Sequence, residues 1–512
     1  MSFDPTHILH ECQFNPTTTL GIKTNIGSAS IQRGLSRIST QKSQLIEKAN
    51  QILLIRNYLD KEPAAKDALE AAFTDIQSAE DIFENSQDSW KEKTSEQIFF
   101  EKDSNFAFLN QIPGIVALLV FLKVWIAPIF AVISPILLIV LPFLTIRFVY
   151  KIELPWSRYQ SMLLQMLVGS DNTAALFSIN GIGKILYFII TLSQTIVQPF
   201  LTATAVNRLD ILVREKGEKL RKCICAANNI LDIYKTAGFD KIPEIPYENG
   251  SMSNVGPHAL FAKDKDEGWT TKYLGIILGD CEVMFRLAQD KRFCAPIWLD
   301  SKSDNLLKLT NFYDISLKNP KKSSITFTRT TGHACLTGPN RGGKSSSLRG
   351  ILQNILWAQT YGLVPCDRYE GHIFSWIVSS LRAEDRPGES SLFEREVEIA
   401  VNILKKAAQS NKGRGQGLVL IDELFHSTNP PDGEKSAQIF LSRLWPNMNV
   451  VSCISTHVYR LVEDADDSIQ KLCCLATVNT NNKSIEYTYT LQPGICKVSS
   501  VDEVLQENGL RG

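Results

Sequence analysis

The chain has 512 residues, enough for about three domains of ordinary size, and 44% of them are hydrophobic. Lys plus Arg equals Asp plus Glu at 54 each, which excludes a global field drawing the chain to nucleic acid or anionic lipid; any such contact has to be local. Eleven scattered cysteines without CxxC pairs, and an N-terminus without the pattern of a cleavable signal, read as reduced thiols in the cytosol. Adjacent Cys473 and Cys474 lack His or Cys partners at ligand spacing, so they do not read as a zinc site.

Residues 1–40 are polar and mixed and predict a loosely ordered lead-in. Residues 41–240 read as a helical domain. In its first part, 41–110, Leu45, Ile46, Ala49, Ile52 and Leu53 keep helical spacing; in its last, 206–237, Leu209, Leu212, Val213, Leu220 and Ile224 do the same. Between them, at about 113–207, lies an apolar insertion. Residues 124–146 carry no formal charge, and at 1.5 Å per residue a helix of that length covers roughly 34 Å, enough to span a bilayer. Lys123 closes it on one side, Arg147 and Lys151 on the other. Residues 185–207 form a second uncharged run that includes Gln194, Gln198 and several Thr and Ser. The alternative is a pair of buried core helices, which Pro128, Pro135 and Pro142 would kink; membrane helices tolerate proline better. Two spans form a hairpin, while one span leaves the N-terminus across the membrane from the C-terminal domain.

Residues 241–273 are rich in Pro, Gly, Asn and charge and predict a linker or surface loop. From 274 to 512 strands and helices alternate. Residues 334–337 form an apolar strand, 338–345 a glycine-rich turn of the form G-x-x-x-x-G-K-S, and an amphipathic helix follows. A helix N-terminus carries unsatisfied N–H groups and partial positive charge, and it accepts a phosphate where the turn lets the backbone approach. Gly338, Gly342 and Gly343 permit that approach, with Pro339, Asn340, Arg341 and Ser346 completing the loop. Lys344 then reaches the β- and γ-phosphates of ATP, and the Ser345 hydroxyl ligates Mg2+. Residues 417–421 read as a buried parallel strand ending in Asp422 and Glu423. In a phosphate-loop site Asp422 holds the metal and Glu423 acts as general base. A third apolar strand, 449–454, ends in Ser455, Thr456 and His457, which places His457 to sense the γ-phosphate.

Together these elements resemble the ATPase domain of the MutS family, the mismatch-repair clamps related to ABC-type ATPases. TGPNRGGKSS resembles that family's TGPNMGGKST, GLVLIDELFHSTNPPDG its strand and loop after D-E, and STH its switch; YGLVPC resembles its helix-to-strand passage. The likeness covers about residues 274–490 and implies a multidomain protein: an α-helical, lever-like N-terminal half followed by an α/β P-loop ATPase domain. SLFEREVE at 391–398 resembles a signature that relatives offer to the nucleotide of the opposing subunit, which aligns Ser391, Phe393 and Glu396, with Ser390 one residue away. The resemblance implies a dimer, with itself or a related subunit, closing on ATP over two composite sites, and a link to DNA mismatch repair or DNA binding. Arg341 stands where the family has Met, adding positive charge within reach of phosphate; Phe425-His426-Ser427 replaces Gly-Arg-Gly; Tyr313 is the candidate for adenine contact. Before residue 274 there is no recognisable mismatch-reading module or basic clamp. The alternatives are therefore a membrane-tethered ATPase of the MutS type, its catalytic domain in the cytosol and its partner a protein or the bilayer, or a soluble intracellular form, or a nucleotide-gated scaffold with little turnover.

Overall fold

A computed structural model of the chain describes residues 5–83, 97–100, 104–112, 114–168, 179–239, 255–267, 273–300, 302–381, 391–410, 415–478, 485–507 and 509. Ser390 and most of the 241–273 segment lie outside the described residues. The chain divides into two compact units: Met1–Phe73, Leu231–Ile242 and Ile276–Gly512 make the first, Thr74–Ile230 and Pro243–Gly275 the second.

The strands of the first unit are, in chain order, β1 (Ile297–Trp298), β2 (Asn305–Phe312), β3 (Ser323–Thr328), β4 (His333–Thr337), β5 (Arg368–Gly371), β6 (Phe374–Ser380), β7 (Gln416–Ile421), β8 (Val450–Ser455), β9 (Ile469–Val478) and β10 (Ile485–Pro493). They form a four-stranded sheet in the order β1-β5-β2-β3 and a six-stranded sheet in the order β10-β9-β4-β8-β7-β6. In the larger sheet every pairing is parallel except β10 with β9. β4 and β8 are buried at every position and β7 at all but its first, as expected of parallel strands covered on both faces. Because β4, β8 and β7 are neighbours, the loops leaving their carboxyl ends lie side by side, where open parallel sheets form ligand crevices.

The expectation of a loosely ordered lead-in is not met. Three short helices, Pro5–Glu11, Pro16–Leu20 and Asn25–Leu35, occupy most of it, and Ile8, Cys12, Phe14, Leu20, Ile31 and Leu35 are buried. Thr24 caps the third helix by accepting from the Gly27 amide and donates its hydroxyl to Glu282 at 2.5 Å. Gln353, in the middle of the helix Lys344–Tyr361, donates to the Cys12 carbonyl at 2.8 Å, and Phe14 lies 5.9 Å from the ring of Trp357. These segments are too short to show periodicity; their order comes from covering the otherwise apolar flank of that helix. The helix Lys42–Lys61 buries Leu45, Ala49 and Ile52 as the spacing predicts, but Ile46 faces outward. Its Arg56 donates to the carbonyls of Leu287, Ala288, Asp290 and Phe293, closing the C-terminus of the helix Gly275–Gln289 where orphan carbonyls and negative dipole favour a cation.

In the second unit Pro257–Glu267 is a helix, which corrects the reading of that stretch as a loop. The first apolar run lies in a continuous helical stretch, Ile115–Val149, with π-helical turns at Leu122–Ile126 and Thr145–Val149 and with Pro135 and Pro142 inside it. The second run and the periodic segment after it are one helix, Ile179–Thr236, 58 residues long. On it Val213, Leu220 and Ile224 are buried while Leu212 is exposed.

Candidate functional site

The loop after β4 turns directly into the helix Lys344–Tyr361, and two glycines make the turn possible. Gly338 has φ +140° and a Cβ there would lie 2.8 Å from the Cys474 carbonyl oxygen. Gly343 is the helix N-cap at φ +102°, and no side chain caps the helix. Its first-turn N–H groups are therefore not met by a capping oxygen, the arrangement that receives an anion. Lys344 is buried, and its ammonium donates to the carbonyls of Gly338 at 2.9 Å and Pro339 at 3.1 Å. Burial holds its pKa below the ordinary lysine value, opposed by Asp422 and Glu423. Gly342 packs on Pro339, Asn340 is exposed, and the Ser346 hydroxyl accepts from Arg349 at 3.1 Å. Arg341 departs from the expectation: its guanidinium is exposed and pairs with Glu507 at 2.6 Å, on the helix Val501–Glu507, from a backbone at φ +65°.

The carboxyl ends of β7 and β8 complete the centre. The Ser345 hydroxyl donates to Asp422 Oδ2, and the Ser455 hydroxyl donates to Asp422 Oδ1. Ser455 also accepts from the Glu423 amide at 2.8 Å. This fully buried serine was not singled out in the sequence, although a hydroxyl at the end of an apolar strand level with Asp-Glu was a usable signal. Glu423 sits in the left-handed region at φ +55°, a conformation that costs a non-glycine residue about 1 kcal/mol or more. Its carboxylate lies 3.3 Å from His457 Nε2. That hydrogen bond, against the opposing effect of burial, holds the Glu423 pKa below the ordinary carboxylate value. Glu423 is partly exposed and lies beside an imidazole.

Ser345 and Asp422 offer a small set of oxygen donors, which suits Mg2+, a cation that keeps several waters and needs few protein ligands. Among the described residues no cluster of three His, Cys, Asp or Glu offers another metal cage. On the far side of the loop a cavity of about 330 Å3 is lined by Tyr313, Leu317, Gly343, Ser346 and Tyr489. Tyr313 and Tyr489, the latter marked by no sequence motif, both line it. Ser391 stands exposed at the start of the helix Leu392–Ser410, where it makes a capping box: its hydroxyl accepts from the Glu394 amide at 3.2 Å, and the Glu394 carboxylate accepts from the Ser391 amide at 2.9 Å. Phe393 packs into the core beneath, 6.1 Å from Phe425. Glu396 accepts from Ser427 at 2.6 Å and lies 3.1 Å from His426, so Phe425-His426-Ser427 is tied to this helix within the chain.

Residues 334–510 match the family description MutS domain V. The chain is 29% identical over 177 residues to DNA mismatch repair protein MSH2 of Zea mays, covering 32% of this chain and 18% of that protein. It is 29% identical over 226 residues to endonuclease MutS2 of Lactococcus lactis (42% and 28%), and 30% identical over 141 residues to DNA mismatch repair protein MutS of Haloquadratum walsbyi (27% and 14%). These matches show that this part of the chain is similar to the MutS family. The matched part of the chain spans less than a third of the length of each of these relatives. Within the MutS domain V region fall the loop at 338–345, Ser391, Asp422, Glu423 and His457; Tyr313 and the helices before it lie outside.

Proposed function

We propose that the chain is a nucleotide-driven switch of the MutS type, binding ATP with Mg2+ at the loop 338–345 and hydrolysing it. The observation that carries this reading is the continuous chain of contacts from Ser345 through Asp422 and Ser455 to Glu423 and His457, drawn from the ends of three neighbouring parallel strands. Lys344 exchanges its two loop carbonyls for phosphate oxygens, and the helix N-terminus faces the same anion. Ser345 and Asp422 hold the metal, which supplies charge neutralisation between the phosphates. Glu423 takes the proton of the attacking water, and His457 fixes the carboxylate's direction.

Two further elements rest on the MutS resemblance. Ser391, exposed at a helix N-terminus, is offered to the nucleotide of a second subunit, so turnover depends on dimer formation. The names of the relatives extend to this chain as DNA binding coupled to the switch. The test is nucleotide binding and phosphate release by the full chain and by Lys344→Ala: wild type binds ATP and turns it over, the variant loses affinity, and turnover rises more steeply than linearly with protein concentration. A wild-type chain that binds no nucleotide overturns the reading. Duplex DNA binding that weakens with salt is the separate measurement for the DNA element.

A further inference from the structure

An apolar helix of a water-soluble fold hides at least one face in a core. The stretch Ile115–Val149 buries little beyond its base: between Ala127 and Leu144 only Pro128, Ala131 and Phe143 are buried, and in the most apolar part of Leu186–Thr236 only 6% of residues are. Ile136, Leu137 and Leu138 are 57%, 45% and 76% exposed. Consecutive residues point about 100° apart, so these three alone span about 200° of the circumference. A protein partner covers a stripe; apolar side chains presented over more than half of the circumference call for a solvent that is itself apolar.

The bases of the two helices are fastened together. Val116 and Val120 of the first, Val206 and Val213 of the second, and Ile98, Phe99 and Phe261 form one buried cluster. From Val120 to Leu144 and from Val206 back to Ile182 the chain advances 24 residues in each leg, or roughly 36 Å, against about 30 Å for the hydrocarbon of a bilayer. Both legs therefore leave one level and reach one depth, in opposite chain directions.

Lipid also demands that polar groups be satisfied within the chain. Thr191, Thr195 and Thr204 donate their hydroxyls to the carbonyls of Tyr187, Thr191 and Phe200, and Thr145 to that of Leu141. Tyr159 donates to the Ile139 carbonyl, beside the prolines. Gln194 and Gln198 lie four apart, within reach of each other along one face. At the far end Phe143, Trp156 and Tyr159 cluster with ring separations of 4.8–5.6 Å, near Arg147, Lys151 and Arg158; at the base stand Trp125 and Lys123, the latter donating to the Gln97 carbonyl. Aromatic and basic side chains at both ends mark the two interfaces of a span. Past the second leg come Arg208, Arg214, Lys216, Lys219, Arg221 and Lys222, against Arg147, Lys151, Arg158 and Lys184 at the far end, a basic excess that puts the base in the cytosol.

We propose that residues 121–149 and 182–205 enter a lipid bilayer as a helical hairpin standing on the Val116–Val120–Val206–Val213 cluster, with both ends of the chain on the side of that cluster. The proposal does not rest on the nucleotide reading, and either can fail alone.

The test uses the full chain reconstituted into uncharged phosphatidylcholine vesicles. The chain is expected to float with the vesicles in 1 M salt, to resist carbonate, and to be released only by detergent. Ile136→Arg combined with Leu138→Arg is expected to cut flotation at least about tenfold with nucleotide binding unchanged. Exposed Cys225 reports the near side: an impermeant maleimide should label it in sealed vesicles, and the extra label gained by Ser161→Cys should appear only after permeabilisation. A chain that stays soluble as an oligomer without detergent, washes off in carbonate, or floats equally well with both arginines overturns the proposal. Labelling of Ser161→Cys from the same side as Cys225 overturns the hairpin.

Discussion

Replacing Glu423 by Gln separates chemistry from binding, because the structure gives that carboxylate no part in holding the phosphate loop. Glu423→Gln keeps an acceptor oxygen for His457 at 3.3 Å and leaves the hydrogen bond from the backbone N–H of residue 423 to the Ser455 hydroxyl intact. The backbone at φ +55° is no more strained with Gln than with Glu, so thermal stability should change only by the small contribution of the depressed carboxylate, screened at this partly exposed site. Asp422 remains held by Ser345 and Ser455, and Lys344 remains against Gly338 and Pro339. What is lost is a base whose pKa sits below the ordinary carboxylate value. General-base catalysis contributes about 10²- to 10⁴-fold, equivalent to about 2.7–5.4 kcal/mol in the barrier at 1.36 kcal/mol per decade. Phosphate release at saturating ATP should fall by that factor, while binding of a fluorescent ATP analogue stays at the wild-type level. Turnover at the wild-type rate refutes Glu423 as the base; parallel loss of affinity and turnover refutes its separation from the binding loop.

Gly338→Ala should destabilise the first unit by about 1–3 kcal/mol and abolish nucleotide binding, since the added Cβ meets the Cys474 carbonyl at 2.8 Å on a backbone at φ +140°; thermal melting and a binding titration read both. Ser391→Ala should lower stability by about 0.5–2 kcal/mol through loss of its capping box, whereas Ser391→Asn keeps a neutral cap and melts like wild type. If Ser391 also serves a second subunit's nucleotide, Ser391→Asn still loses turnover, and an active Ser391→Asn refutes that role. Burial raises the Glu70 pKa, but hydrogen bonds from Arg286 and Lys23 outweigh it and bring the value down to about 2. A depressed carboxylate contributes its stability fully above its unfolded value of 4.5 and loses it as pH falls toward 2. With the side chain 29% exposed, screening leaves about 1 kcal/mol of this at neutral pH. Glu70→Gln should therefore melt earlier than wild type at pH 7, with the gap closing between pH 4.5 and 2; a gap independent of pH refutes the ion-pair account.

What the sequence determined by itself was whatever its physics confines to neighbouring residues. The turn at 338–345 is readable because strand, glycines, lysine and helix are contiguous, and Asp422-Glu423 because an apolar strand of the right length ends there. The exposed apolar helices were legible as runs without charge, although the merging of 185–207 with 206–237 into one helix was not, since polarity changes along it while backbone geometry does not. The capping box at Ser391 was equally local and was hidden only by the stronger likeness to a MutS signature. Tertiary structure alone decided the rest. Ser455 joins Asp422 to Glu423 across 33 and 32 residues of sequence, and Arg341 meets Glu507 across 166. Tyr489 walls the cavity by an antiparallel strand that pairs at the sheet's edge. The segment 5–35 folds because the helix Lys344–Tyr361 presents it an apolar face more than 300 residues away. No local periodicity encodes such contacts: each depends on which strands become neighbours, and that choice belongs to the whole sheet.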